Sequence, residues 1–173
     1  MIKKSFVKKS TPHRVMLYVI DKEPMEVLAS TPAVISRTMR GLSNAQLHKP
    51  PHKGKWSITE IISHLTDGEI VFAYRLRKIL AEPGCTIDSY DQNKWASSLG
   101  YAKADCKTNL AMFSAVRKSN VEILQSLSPK ELKRFGIHDE RGKEKIETMI
   151  LLYAGHDMNH IKQIEAIRNH LVR

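Results

Sequence analysis

The chain has 173 residues, 42% hydrophobic and 27% charged, with a net charge of +10. That size and balance fit one soluble domain with a real hydrophobic core. No window approaches the roughly 18 to 20 apolar residues of a membrane span, and Met1 to Ile20 lacks the apolar stretch and cleavage site of a signal peptide, so a cytoplasmic protein without a membrane partner is expected.

Residues 1–23 read as a basic N-terminal arm, and residues 24–173 as the domain proper. Lys3, Lys4, Lys8, Lys9 and Arg14 gather in the arm, and Lys143, Lys145, Arg168 and Arg173 lie near the other end. No helix-turn-helix or zinc-finger spacing accompanies these charges. They read as a solvated basic surface, and no nucleic-acid partner is expected. Val15 to Ile20 is a short apolar run, strand or helical turn, that packs the arm against the body.

Asp21-Lys22-Glu23-Pro24 starts a first helix that runs to about Arg40, where Gly41 stops it. Pro32 inside it predicts a kink or break at Ser30-Thr31. His48 and His52 are four residues apart, but Pro50 and Pro51 between them forbid a helix, which discounts them as a metal pair. Ser57 and Glu60 form a capping box that opens the second helix, with Trp56 placed to staple onto Ile61. This helix continues to about Ala81. Ile58, Ile61, Ile62, Leu65, Phe72 and Leu76 make its buried face, with His64 at the edge of that face, Glu69 within it and Asp67 toward solvent. Gly68 is unfavourable in a helix and predicts close approach of another helix or a ligand.

Residues 82 to about 103 form a connection longer than compact domains usually carry, with Tyr90 and Trp95 placed to anchor it. Cys85 within it and Cys106 beyond it read as free thiols, Cys85 the more exposed. A third helix spans about Ala104 to Leu127, its apolar face including Leu110, Met112, Phe113, Val121 and Leu124. Pro129 starts a short extra turn, and 135–145 reads as an irregular polar link. The fourth helix runs from Ile146 to Leu171. No strand pair is predicted. The expected fold is all-α, a four-helix bundle with a long crossover between helices 2 and 3 that lets those two run parallel.

The fourth helix holds the chain's main anomaly. Ile146, Met149, Ile150, Tyr153, Ile161, Ile164 and Ile167 make an apolar stripe, which His156, Asp157 and His160 interrupt. Polar groups in a core cost free energy unless they are paired or bind something. His156 and His160 stand one turn apart on one side, where two imidazoles can share a metal ion. The alternative is a pair of histidines hydrogen-bonded in the core or at its edge.

Three motifs taken together resemble a known family. They are Trp56-Ser-Ile-x-Glu-Ile-Ile-x-His64-Leu-x-Asp67-x-Glu69, then Tyr90-Asp-Gln-Asn-x-Trp95, then Gly155-His156-Asp157-x-x-His160-x-x-Gln163-Ile164. In this order, over about residues 24–171, the chain resembles the DinB-like superfamily and within it the YfiT-like branch of metal-dependent enzymes. The resemblance implies a four-helix bundle whose divalent ion is held by His64, His156 and His160. Three imidazoles and a water make an open site, the catalytic pattern. Zinc, nickel or iron would suit it. The implied activity is activation of water or of a low-molecular-weight thiol such as bacillithiol, mycothiol or glutathione. That makes the protein a hydrolase or a thiol S-transferase acting on a small-molecule substrate. The alternative is a non-catalytic, metal-binding stress-response protein. A homodimer is also expected from the family.

Around this site, Glu69 and Asp157 either accept hydrogen bonds from ligand imidazoles or form a salt bridge inside the bundle, with Arg75 or Arg37 as partners. Gln163 lines the pocket or bonds nearby backbone. Asp91 and Asn93 reach toward the site mouth from the crossover, and Tyr153 is a core residue.

Overall fold

The computed structural model describes residues 14–172. The lysines of the arm at positions 3, 4, 8 and 9 lie outside them. Four long helices make the body: α1 (Pro24–Thr38), α3 (Ile58–Ala81), α5 (Cys106–Ser126) and α7 (Ile146–Leu171). Shorter helices, α2 (Asn44–Leu47), α4 (Gln92–Ser98) and α6 (Pro129–Leu132), sit in the connections. Ser57 accepts from the Glu60 backbone while the Glu60 side chain returns to Ser57, so the expected capping box fixes the start of α3. Ser43 with Gln46 and Ser128 with Glu131 repeat the device at α2 and α6.

The helices pack in a ring, α1 on α7, α7 on α3, α3 on α5 and α5 on α1. Pairings along α3 and α5 advance together. Asn109 meets Ser63 and Thr66, Arg117 meets Glu69, and Asn120 meets Arg77. These two helices therefore run parallel, as the crossover expectation required. On the other side, Arg117 links Leu28 to Asp157, and Thr38 meets Arg168, so α1 and α7 run parallel as well.

Four findings differ from the expectations. First, the long links carry a small sheet, β1 (Thr86–Ile87), β2 (Phe135–His138) and β3 (Gly142–Lys145), with β1 parallel and β3 antiparallel to β2. The strands are too short to show a hydrophobic alternation. Gly142, at φ +71°, is the turn signal that identifies the hairpin. Second, α1 does not break at Pro32. Proline removes the N–H that would have bonded the Leu28 carbonyl. Arg117 Nη1 supplies a donor to that carbonyl at 3.0 Å instead. Third, Asp67 is half-buried and accepts a hydrogen bond from the Tyr101 hydroxyl, so it does not face solvent. Fourth, Met112, assigned to an apolar face, is exposed.

The apolar core is divided in two. One cluster holds Leu28, Phe72, Leu76, Val121, Leu124, Met149 and Ile150. The other holds Ile35, Ile58, Ile61, Leu65, Phe113, Ile161 and Ile164. Between them every long helix contributes buried polar groups: Thr31 on α1, His64 and Glu69 on α3, Arg117 and Asn120 on α5, Asp157 and His160 on α7. The candidate site lies in this layer.

Before α1, residues 16–19 form a 3-10 turn packed against α7, the expected docking of the arm. Gly155 makes this contact possible, because a Cβ there would stand 2.2 Å from the Val15 carbonyl oxygen. Among the described residues no helix is long and apolar enough to cross a membrane.

Candidate metal centre

α3 and α7 bring three imidazoles to one point. His64 Nε2 lies 3.0 Å from His156 Nε2, which lies 3.1 Å from His160 Nε2. The i, i+4 spacing on α7 places His156 and His160 on one side of that helix. The antiparallel α3 delivers His64 opposite them. His64 is 2% exposed and His160 7%, and His156 is half-buried. His64 thus sits deeper than its helical position alone implies, because the indole of Trp56 covers its ring at a centroid distance of 5.1 Å.

Burial sets the protonation of the cluster. Desolvation, and then the neighbouring His160, push the His64 pKa down to about 3. Burial and the adjacent His160 and His64 hold His156 well below the ordinary value. Burial lowers His160 too, with partial opposition from Gln163 and Asp157. All three are therefore neutral at pH 7, the form whose lone pair binds a metal. Gln163 Oε1 lies 3.0 Å from His160 Nδ1. An amide oxygen there accepts a hydrogen bond from Nδ1–H, which keeps the proton on Nδ1 and leaves the Nε2 lone pair facing the cluster. Tetrahedral coordination with metal–nitrogen distances of 2.0–2.1 Å separates ligand nitrogens by about 3.3 Å. The observed spacings fit such an ion, with one coordinating atom from each residue.

The remaining expected site residues fall into distinct places. Glu69 and Asp157 form the buried salt bridge, not hydrogen bonds to imidazoles. Their partner is Arg117, in place of Arg75 or Arg37. Arg117 Nη2 lies 2.7 Å from Glu69 Oε2, and its Nη1 and Nη2 both reach Asp157. Asn120 Nδ2 holds the other Glu69 oxygen at 2.7 Å. Burial opposes the Arg117 charge, but Asp157 and Glu69 outweigh it and raise its pKa. Asp91 is exposed and caps α4 through the Asn93 and Lys94 amides. The crossover residues that do reach the site are its neighbours Tyr90 and Gln92.

A pocket of about 300 Å³ opens beside the cluster, bounded by His64, His156, Tyr90, Tyr153 and Arg75. Tyr153 is a wall of this pocket as well as a packing residue, stacked on Phe72 at 4.3 Å. Tyr90 is held by Trp95 at 4.6 Å, the expected anchor of the crossover. A methyl at Gly68 would be 3.6 Å from the Tyr90 hydroxyl, an ordinary contact, so this glycine leaves room in the pocket without being forced by a helix crossing. Sequence reasoning missed Arg117, Asn120 and the pocket role of Arg75. Each lies on a helix face otherwise apolar, the same signal that drew attention to Glu69. His48 is bonded to the Asn44 and Ala104 carbonyls, consistent with its exclusion as a ligand. Cys85 and Cys106 are free thiols, half-buried and buried.

The sequence model of the DinB superfamily matches residues 28–164. A Bacillus mycoides (strain KBAB4) protein named "Putative metal-dependent hydrolase" is 30% identical over 153 residues, covering 88% of this chain and 87% of that protein. A protein of the same description from Oceanobacillus iheyensis is 28% identical over 149 residues, with 86% of each chain covered. Among solved structures, YfiT from Bacillus subtilis, described as "a probable metal-dependent hydrolase with an unusual four-helix bundle topology", superposes with a TM-score of 0.79 at 21% identity, over 95% of this chain and 91% of that one. The chain belongs to the DinB superfamily and has the YfiT-like fold.

Proposed function

We propose that the protein is a metal-dependent hydrolase whose divalent ion is held by His64, His156 and His160. The observation that carries this is the convergence of three neutral Nε2 atoms at the end of a pocket. The names of the relatives support the same class. A bound ion of this kind supplies Lewis acidity toward water and a substrate oxygen. The chain's own residues hold the imidazoles in register. Gln163 fixes the His160 tautomer, and Trp56 shields His64 from solvent. Tyr90 and Tyr153 line the pocket as neutral phenols, which burial only makes harder to ionise, and their hydroxyls would donate hydrogen bonds to a substrate there.

Elemental analysis of protein purified without chelators is expected to find a near-stoichiometric divalent ion, and His160→Ala to lose it. Added zinc or nickel stabilises the metal-free protein by about 2.7 kcal/mol at a hundredfold excess over Kd. No ion and no shift in Tm with either metal would sink the assignment. Turnover of an ester and amide panel separates an enzyme from a non-catalytic metal protein. A strict requirement for bacillithiol, mycothiol or glutathione in that panel would replace hydrolysis with thiol transfer at the same site.

A further inference from the structure

The pocket beside the histidines contains a cation that metal binding does not use. Arg75 projects from α3 into its wall and is 4% exposed. Its Nη2 donates to the Asp88 carbonyl, and its Nε is buried with no acceptor among the described residues. No aspartate or glutamate pairs with it among the described residues. Burying a guanidinium without a counter-charge is unfavourable.

Two other arginines, in the layer and at the pocket wall, are differently placed. Arg117 has Glu69 and Asp157. Arg141, also at the pocket wall, donates through Nε to Glu144 at 2.6 Å. The Glu69–Asp157–Arg117 group carries one net negative charge, but its oxygens are spent on Arg117 and Asn120. Arg141 and Glu144 cancel. Counted together with Arg75 these groups sum to zero, yet Arg75 is the one cation among them with no carboxylate in contact, and it shares a pocket wall with Tyr90, Tyr153, His64 and His156.

We propose that Arg75 is the anchor for a carboxylate on the substrate, so that the pocket takes a small organic monocarboxylate. A planar guanidinium matches a carboxylate in geometry as well as charge. A single guanidinium with no carboxylate in contact suits a monoanion and not a dianionic phosphate. The carboxylate would complete the hydrogen bonding of Arg75 and place the rest of the molecule between Tyr90, Tyr153 and the histidines. The proposal takes this pocket to be the substrate chamber of the metal centre.

The test uses the full-length protein, metal-free so that no probe can ligate an ion, with benzoate, its neutral isostere benzamide, and inorganic phosphate. The aromatic walls suit a benzene ring, and a pocket of this volume accommodates it. Titration calorimetry or ligand-detected NMR is expected to show benzoate binding roughly tenfold or more tighter than benzamide. Arg75→Gln abolishes the difference, chiefly by weakening benzoate. Arg75→Lys, which keeps the charge, retains part of it and covers a failure of the glutamine variant to fold. Equal binding of the two probes, no binding of either, a preference that survives Arg75→Gln, or phosphate binding tighter than benzoate would each overturn the proposal. Metal content is measured separately on each protein as purified, before its ion is stripped for these titrations. A protein without an ion that still selects benzoate through Arg75 refutes the hydrolase and keeps the anion site, whereas a metal-loaded protein blind to charge does the reverse.

Discussion

Three imidazoles whose Nε2 atoms stand 3.0 and 3.1 Å apart cannot all carry a proton at those atoms. Each has a folded pKa below the ordinary 6.5, first because it is desolvated. The unfolded chain therefore takes up protons that the folded one refuses. The stability contributed by the neutral cluster is complete above about pH 6.5 and is lost as pH falls toward the folded values, about 3 for His64. Thermal melts of the metal-free protein are expected to show Tm falling between about pH 7 and pH 5. With metal the fall is steeper, because protons also compete for the ligand nitrogens. A Tm that is flat or rises over this range would contradict the neutral cluster. At this scale the α7 pair was legible from spacing, because i, i+4 geometry is local. Spacing could not reveal His64, which only the family resemblance supplied, because its partners are 92 and 96 residues away and a helical position cannot show that Trp56 covers it.

Among the elements, the terminal turn and α7 are joined at one position. Alanine is the better helix former than glycine by about 1 kcal/mol, so Gly155→Ala in a free α7 would stabilise it. In the folded chain the added methyl would stand 2.2 Å from a backbone oxygen of residue 15, which cannot swing aside as a side chain can. The steric conflict exceeds the propensity gain. Gly155→Ala is expected to lower Tm and to open the segment from Arg14 to Lys22 to trypsin, seen as faster cleavage there by mass spectrometry. Unchanged Tm and cleavage would show that the turn is not seated on Gly155. The limits of α3 were legible from its capping box and those of α7 from its long apolar period, because both are local signals. The strands were not, because segments of two to four residues carry no period; β2 and β3 form a local hairpin, but β1 joins β2 across about 50 residues.

For the whole molecule, the polar layer joins all four long helices through one side chain. Arg117 on α5 reaches Glu69 on α3, Asp157 on α7 and the Leu28 carbonyl on α1, the acceptor that Pro32 left without a helical donor. Charge and a proline anomaly thus resolve in one place, which no single segment could indicate. Arg117→Met removes the cation and strands two buried carboxylates and a carbonyl. Breaking a buried ion pair by deleting one partner costs about 3–5 kcal/mol, a large share of a total stability of about 5–15 kcal/mol. Most of that loss is the penalty on the stranded carboxylates, not the value of the ion pairs. Adding Glu69→Gln and Asp157→Asn to Arg117→Met removes both charges, so the triple variant is expected to recover about 1–3 kcal/mol over the single one in urea denaturation. If the triple variant is instead less stable than the single one, the layer holds the bundle together by net attraction, and the desolvation account of it is wrong.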